Sequence, residues 1–93
     1  MSDITGFLLA RIAEDEDAAR ASIPTGGRRA GKTFWQRRVA ECGAKRALAN
    51  WHVPDVEPEF CATCEATENW PCSTIKMLSS VYFDHPDYDP AWS

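Results

Sequence analysis

At 93 residues, with a formal net charge of −4 at pH 7, the chain allows one compact domain spanning 1–93 and excludes a second independent core. Domains this small bury a low fraction of their surface and often lean on a metal or on disulfides, and four cysteines fit that need. Met1-Ser2-Asp3 leads into a mixed polar segment without the basic and apolar regions of a signal peptide, and no apolar run approaches membrane-spanning length, so a soluble cytoplasmic product with no membrane role is expected.

Taken in chain order, residues 3 to about 22 predict a first helix. Ser2 or Asp3 caps it, and Ile4, Phe7, Leu8 and Ile12 recur at three- and four-residue spacing, a stripe that Ala18 and Ala19 extend. Glu14 to Asp17 face water. Residues 23–33, with Pro24, Gly26, Gly27 and Gly31, predict a flexible loop. A second helix follows from Thr33 to about Trp51, with Trp35, Val39 and Cys42 on one apolar line and Ala44, Leu48 and Trp51 on an adjacent one. The short connection makes the two helices an antiparallel pair. Between Pro54 and Pro71 the period is lost and prolines, acids and cysteines accumulate, and Pro71 to Phe83 predicts a short third helix with Ile75, Leu78 and Tyr82 on one face. Residues 84–93 are expected as an extended tail that lays Tyr88 and Trp92 across the domain. The fold class expected is mainly α: an antiparallel helical hairpin, a zinc knuckle and a short third helix.

Chemistry concentrates in the cysteines. In a reducing compartment clustered cysteines are more often metal ligands than disulfides. Cys61 and Cys64, two residues apart, form a tight thiolate pair suited to tetrahedral Zn2+, and Cys72 at a helix start reaches the same ion. His52, where the second helix ends, is the preferred fourth ligand, with Cys42 and His85 as alternatives. Cys42 otherwise reads as a small buried hydrophobe and His85 as a surface or hydrogen-bonding histidine. Two other chemistries of the Cys61–Cys64 pair are disfavoured. A redox motif belongs at a strand-helix junction that this sequence does not predict, and a hydrolytic zinc needs an open coordination position and a placed base, whereas nothing places Glu59, Glu65 or Glu68.

Residues 26–33, Gly-Gly-Arg-Arg-Ala-Gly-Lys-Thr, satisfy the phosphate-binding pattern letter for letter. That pattern works between a buried strand and a helix, and here a polar helix precedes it, so a nucleotide ligand is not expected. Arg28, Arg29, Lys32, Arg37, Arg38, Lys45 and Arg46 crowd the middle of the chain. They read first as a solvated helix face and second as a nucleic-acid contact centred on Arg28, Arg29, Lys32, Arg37 and Arg38.

Residues 7–16 (Phe-Leu-Leu-Ala-Arg-Ile-Ala-Glu-Asp-Glu), residues 40–46 (Ala-Glu-Cys-Gly-Ala-Lys-Arg), the Cys61/Cys64 pair, residues 70–74 (Trp-Pro-Cys-Ser-Thr) and residues 85–88 (His-Pro-Asp-Tyr) together resemble an uncharacterised family of short actinobacterial and actinophage proteins. The resemblance spans nearly the whole chain except 23–33, where the phosphate-like motif falls. It implies an origin and a shared small fold with a histidine ending the second helix, as His52 does, and it lends no activity. The functional expectation is therefore a zinc-binding module that engages an unidentified protein partner, as a phage or host regulator, and not an enzyme. Nucleic-acid binding through the basic 28–46 segment is the alternative.

Overall fold

The computed structural model describes residues 3–24, 29–54, 60–64 and 69–93, with residues 29–31 described in backbone only. Helix α1 runs Ile4–Ser22. Asp3 caps it: its backbone is extended and its carboxylate accepts the Thr5 N–H at 3.2 Å, which satisfies one of the unpaired amides of the first turn. Ser2, the other candidate cap, lies outside the described residues. Ile4, Phe7, Leu8, Ile12 and Ala19 are buried along one face, whereas Ala18 is exposed. The helix ends at Ile23, whose backbone turns extended ahead of Pro24 as steric contact with a following proline ring requires.

Helix α2 runs Arg29–Trp51. It begins four residues earlier than Thr33, so residues 29–33 are helical and the expected loop of 23–33 is too long. Apolar periodicity first registers at Trp35, and Gly31 counts against a helix at about 1 kcal/mol relative to alanine, so the opening turn leaves no trace in the pattern. The step from residue 22 to 29 covers at most about 25 Å, less than the roughly 28 Å length of α1, so α2 packs back along α1 in antiparallel sense.

Between the helical pair and the third helix there is no strand among the described residues, and two isolated antiparallel bridges, Pro54 with Cys61 and Phe60 with Asn69, fold the chain back on itself. Helix α3 spans Ser73–Ser80, shorter at both ends than the expected 71–83. Past Ser80 the bonds shift to three-residue turns, with Tyr82 N–H to the Ser79 carbonyl at 3.0 Å and His85 N–H to the Tyr82 carbonyl at 2.9 Å. Pro86 disfavours helical backbone at the residue before it and helps end the run. Ile75 is buried, and Leu78 and Tyr82 pack half-buried against the same core.

The 84–93 tail is not extended. It continues as turns and closes in a 3-10 helix, Pro90–Trp92, where the Asp89 side chain accepts the Ala91 N–H at 2.9 Å and Pro90 supplies a preset φ at the first position. Pro-rich composition rules out a long helix but not this single tight turn. The tail nevertheless delivers its aromatic area to α1. Phe7 is ringed by Tyr82, His85, Tyr88 and Trp92, at centroid distances of 6.3, 5.5, 5.9 and 5.1 Å. Tyr82 also donates its hydroxyl to Asp15 at 2.7 Å, fastening the end of α3 to α1, and burial together with that carboxylate pushes its phenol well above the ordinary tyrosine range.

Across the α1–α2 seam, Arg46 meets Glu16 at 2.5 Å, and Arg20 adds a second contact to the same carboxylate at 3.2 Å. The Arg46 hydrogen bond, the largest influence, holds Glu16 below the ordinary carboxylate range. A carboxyl lowered in the folded state contributes stability above its unfolded pKa and loses it as pH falls through the folded pKa. Glu16→Gln is therefore expected to lower the melting temperature slightly at pH 7, with the gap to the parent protein closing in strong acid. A gap that stays constant down to pH 2 would show that the pair contributes nothing through charge.

Candidate metal centre

The end of α2, the turn after it and the start of α3 bring four side chains to one point. His52 follows the last residue of α2, its N–H bonded to the Leu48 carbonyl at 3.0 Å, so the helix fixes where the imidazole starts. The returning chain is pinned to that helix end. Ala62 N–H donates to the Val53 carbonyl at 2.8 Å, and the Thr63 hydroxyl donates to the Trp51 carbonyl, one of the acceptors that a helix C-terminus leaves open. This sets the turn carrying Cys61 and Cys64 beneath His52. Cys72 occupies the position just before α3, with extended backbone, but its side chain makes no capping bond to the helix. Its sulfur is turned instead toward the imidazole.

The ligand atoms of His52, Cys61, Cys64 and Cys72 all lie within 4.8 Å of one another. His52 Nδ1 stands 3.6 Å from Cys61 Sγ, 3.8 Å from Cys64 Sγ and 3.5 Å from Cys72 Sγ. A ring nitrogen offers one proton or one lone pair, so it cannot serve three sulfurs as hydrogen-bond partner at once. An ion at the centre resolves the arrangement. With metal–sulfur distances of about 2.3 Å and metal–nitrogen distances of about 2.05 Å, a tetrahedron has nitrogen–sulfur edges of roughly 3.6 Å. The group can hold a metal ion through Nδ1 and three thiolates.

The surroundings suit such an ion. Cys61, Cys72 and His52 are buried and Cys64 is half-buried, so charge placed there is shielded from water and needs a counter-charge. Burial pushes the Cys61 thiol up, but the Cys64 backbone N–H and the side chains of His52, Cys72 and Cys64 outweigh it and bring the thiol down to about 7. Hydrogen-bond donors that favour the thiolate suit a metal site, since the thiolate is the form that binds a metal.

The remaining candidates lie elsewhere. Cys42 is 2% exposed inside the apolar core and outside the four-residue group. His85 packs edge-on against Phe7, with Arg11 Nη1 at 3.2 Å from its Nδ1 and the Asp87 N–H donating to the same nitrogen at 3.0 Å. Arg38 pairs with Glu41 at 3.7 Å, Arg37 and Lys32 are exposed, and Arg28 and the side chain of Arg29 lie outside what is described, as do Glu59, Glu65 and Glu68. What the sequence does not reveal is the role of Thr63 in closing the helix end over the site, because a threonine between two cysteines carries no pattern of its own.

The phosphate-like motif begins outside the described residues and ends within the first turns of α2, with a helix rather than a strand before it. Lys32→Ala is accordingly expected to leave the melting temperature unchanged and to alter no nucleotide affinity, since titration with ATP and magnesium should find none. Saturable micromolar binding that the substitution abolishes would restore the motif.

Among the described residues, no helix is long and apolar enough to cross a membrane. Comparison with curated proteins and with solved structures gives no match. A family model does match, over residues 1–93, and by it this chain belongs to the family of unknown function DUF6221.

Proposed function

We propose that this protein is a small zinc-stabilised module for protein–protein interaction and not an enzyme. The observation that carries the reading is the convergence of His52 Nδ1 on three cysteine sulfurs at 3.5–3.8 Å, from three separate pieces of chain. Zinc is favoured over other ions by the donor set: three thiolates and one imidazole in a tetrahedron are its usual structural shell. Four protein ligands leave no open position for a reacting water, which supports a structural role over a hydrolytic one.

The interaction half of the reading rests on apolar side chains that the fold leaves outside. Trp51 is 65% exposed beside the knuckle, and Met77, Val81 and Phe83 are 65%, 59% and 71% exposed on and just after α3. Met77 and Val81, four residues apart, share a helical face. A domain this small that keeps such side chains in water fits a surface meant to be covered. The nucleic-acid alternative is the weaker one, because Arg38 and Arg46 are engaged by Glu41 and Glu16 and the net charge is −4.

Elemental analysis of the purified, reduced protein should find close to one zinc per chain. Folded protein free of metal would sink the zinc half. For the other half, partners captured from the native cell on the zinc-loaded protein should be lost with Trp51→Ser or Phe83→Ser while stability is kept. Binding to DNA or RNA that fades steeply as salt rises would instead favour the basic segment.

A further inference from the structure

We infer that the Cys61–Cys64 turn is a thiol switch, through which a hydroperoxide oxidises the pair to a disulfide and ejects zinc from the knuckle. The inference rests on the zinc reading above and concerns how that site is regulated. Its basis is an asymmetry of burial among the three thiol ligands. Cys61 and Cys72 are 0% and 1% exposed, whereas Cys64 is half-buried, which makes it the most accessible of the three to a solute arriving from water.

The second partner follows from where each sulfur is anchored. Cys61 and Cys64 belong to one tight turn, and their sulfurs already lie within 4.8 Å. A disulfide bond of about 2.05 Å can close by adjustment of that turn alone. Joining Cys64 to Cys72 would instead displace the start of α3, whose Ile75 is fully buried in the core and whose end is held to α1 by the bond from Tyr82 to Asp15. Cys42 is buried in the core and outside the group.

The chemistry balances as follows. The Cys64 sulfur attacks one peroxide oxygen, the O–O bond breaks, and the leaving oxygen takes up a proton and departs as water or, from an alkyl hydroperoxide, as the alcohol. The sulfenic acid that remains is attacked by the Cys61 sulfur. The S–O bond breaks, the hydroxide takes a second proton and leaves as water, and the disulfide forms. Two thiolates, one hydroperoxide and two protons from solvent thus give one disulfide and two oxygen-containing products, with two electrons passing from sulfur to the peroxide. His52 and Cys72 are then left as the sole ligands, too few to hold zinc against water.

The test uses the zinc-loaded full chain and hydrogen peroxide in small molar excess, with a chromogenic chelator reading released zinc and peptide mapping after alkylation reading the thiols. Zinc should leave in step with a Cys61–Cys64 disulfide, Cys42 and Cys72 should remain alkylatable, and dithiothreitol with added zinc should restore the starting state. Zinc that stays bound with all thiols intact overturns the switch and leaves the zinc site standing. A disulfide through Cys42 or Cys72, or oxidation to sulfinic acid without a disulfide, overturns it equally. A chain that carries no zinc before peroxide is added overturns the zinc reading itself.

Discussion

If the proposed site holds zinc, treatment with a strong chelator at neutral pH is expected to unfold most of the protein, with loss of near-ultraviolet circular dichroism and of the cooperative melting transition. Binding to a structural site of this type has an apparent free energy of about 10–16 kcal/mol, whereas a domain's whole net stability is about 5–15 kcal/mol. The metal term is thus as large as the total. Without an ion, one ring nitrogen of His52 is left to face three sulfurs, two of them buried, an arrangement that hydrogen bonds satisfy only in part. Among the described residues, the segment between α2 and α3 is tied down by two isolated bridges, the Ala62-to-Val53 backbone bond and the Thr63 hydroxyl on the Trp51 carbonyl, and all of these flank the four ligand residues.

The same argument locates what resists. The contacts of Phe7 with Tyr82, Tyr88 and Trp92 join α1 to the turn after α3 and to the tail, and none of those residues belongs to the metal group. Residual helix in α1 after chelation is therefore compatible with the expectation, but a sharp transition at the original temperature is not. Cys72→Ser should reproduce the loss without chelator. If apo protein and Cys72→Ser both melt as the parent does, the site does not hold the fold together.

The sequence carries the elements of this fold unevenly. α1 is the most legible element because a capping aspartate and a three-and-four-residue apolar stripe agree, and both reappear as the Asp3 cap and the buried Ile4, Phe7, Leu8 and Ile12, although Ala18 is exposed and Asp15 and Glu16, expected to face water, bond Tyr82 and Arg46. The start of α2 is not, since residues 29–33, Arg-Ala-Gly-Lys-Thr, carry no apolar period to read. The tail is misread for a related reason: Asp89 and Pro90 specify a single 3-10 turn locally, and a search for long periods passes over it. The cysteines are legible because spacing in sequence limits reach in space. His52 is legible from its place at the end of the second helix, which favours it as fourth ligand, while Cys42 and His85 stay open in the sequence until the burial and the distances set His52 apart.

His52→Ala is expected to weaken zinc retention severely and lower the melting temperature, while Cys42→Ala and His85→Ala keep the metal. His52 Nδ1 lies 3.5–3.8 Å from all three cysteine sulfurs, and removing it leaves one corner of the tetrahedron to water. Loss of a residue that merely supports a ligand typically costs about 10–100-fold in metal affinity, so loss of the ligand itself should exceed that range. Cys42 stands ten residues earlier on α2, roughly 15 Å along the helix axis, and is 2% exposed among apolar neighbours. Its replacement removes one sulfur from a packed core, at a cost on the order of 1 kcal/mol or somewhat more, and should leave zinc stoichiometry untouched. His85 is held by Arg11 and Asp87 against Phe7 and is not among the four ligand residues, so its loss should be felt in that aromatic cluster and not at the metal. Competition against a chelator of known affinity ranks the three variants directly. Should Cys42→Ala release zinc while His52→Ala retains it, the fourth ligand is a cysteine, and α2 must shift along its axis to deliver it.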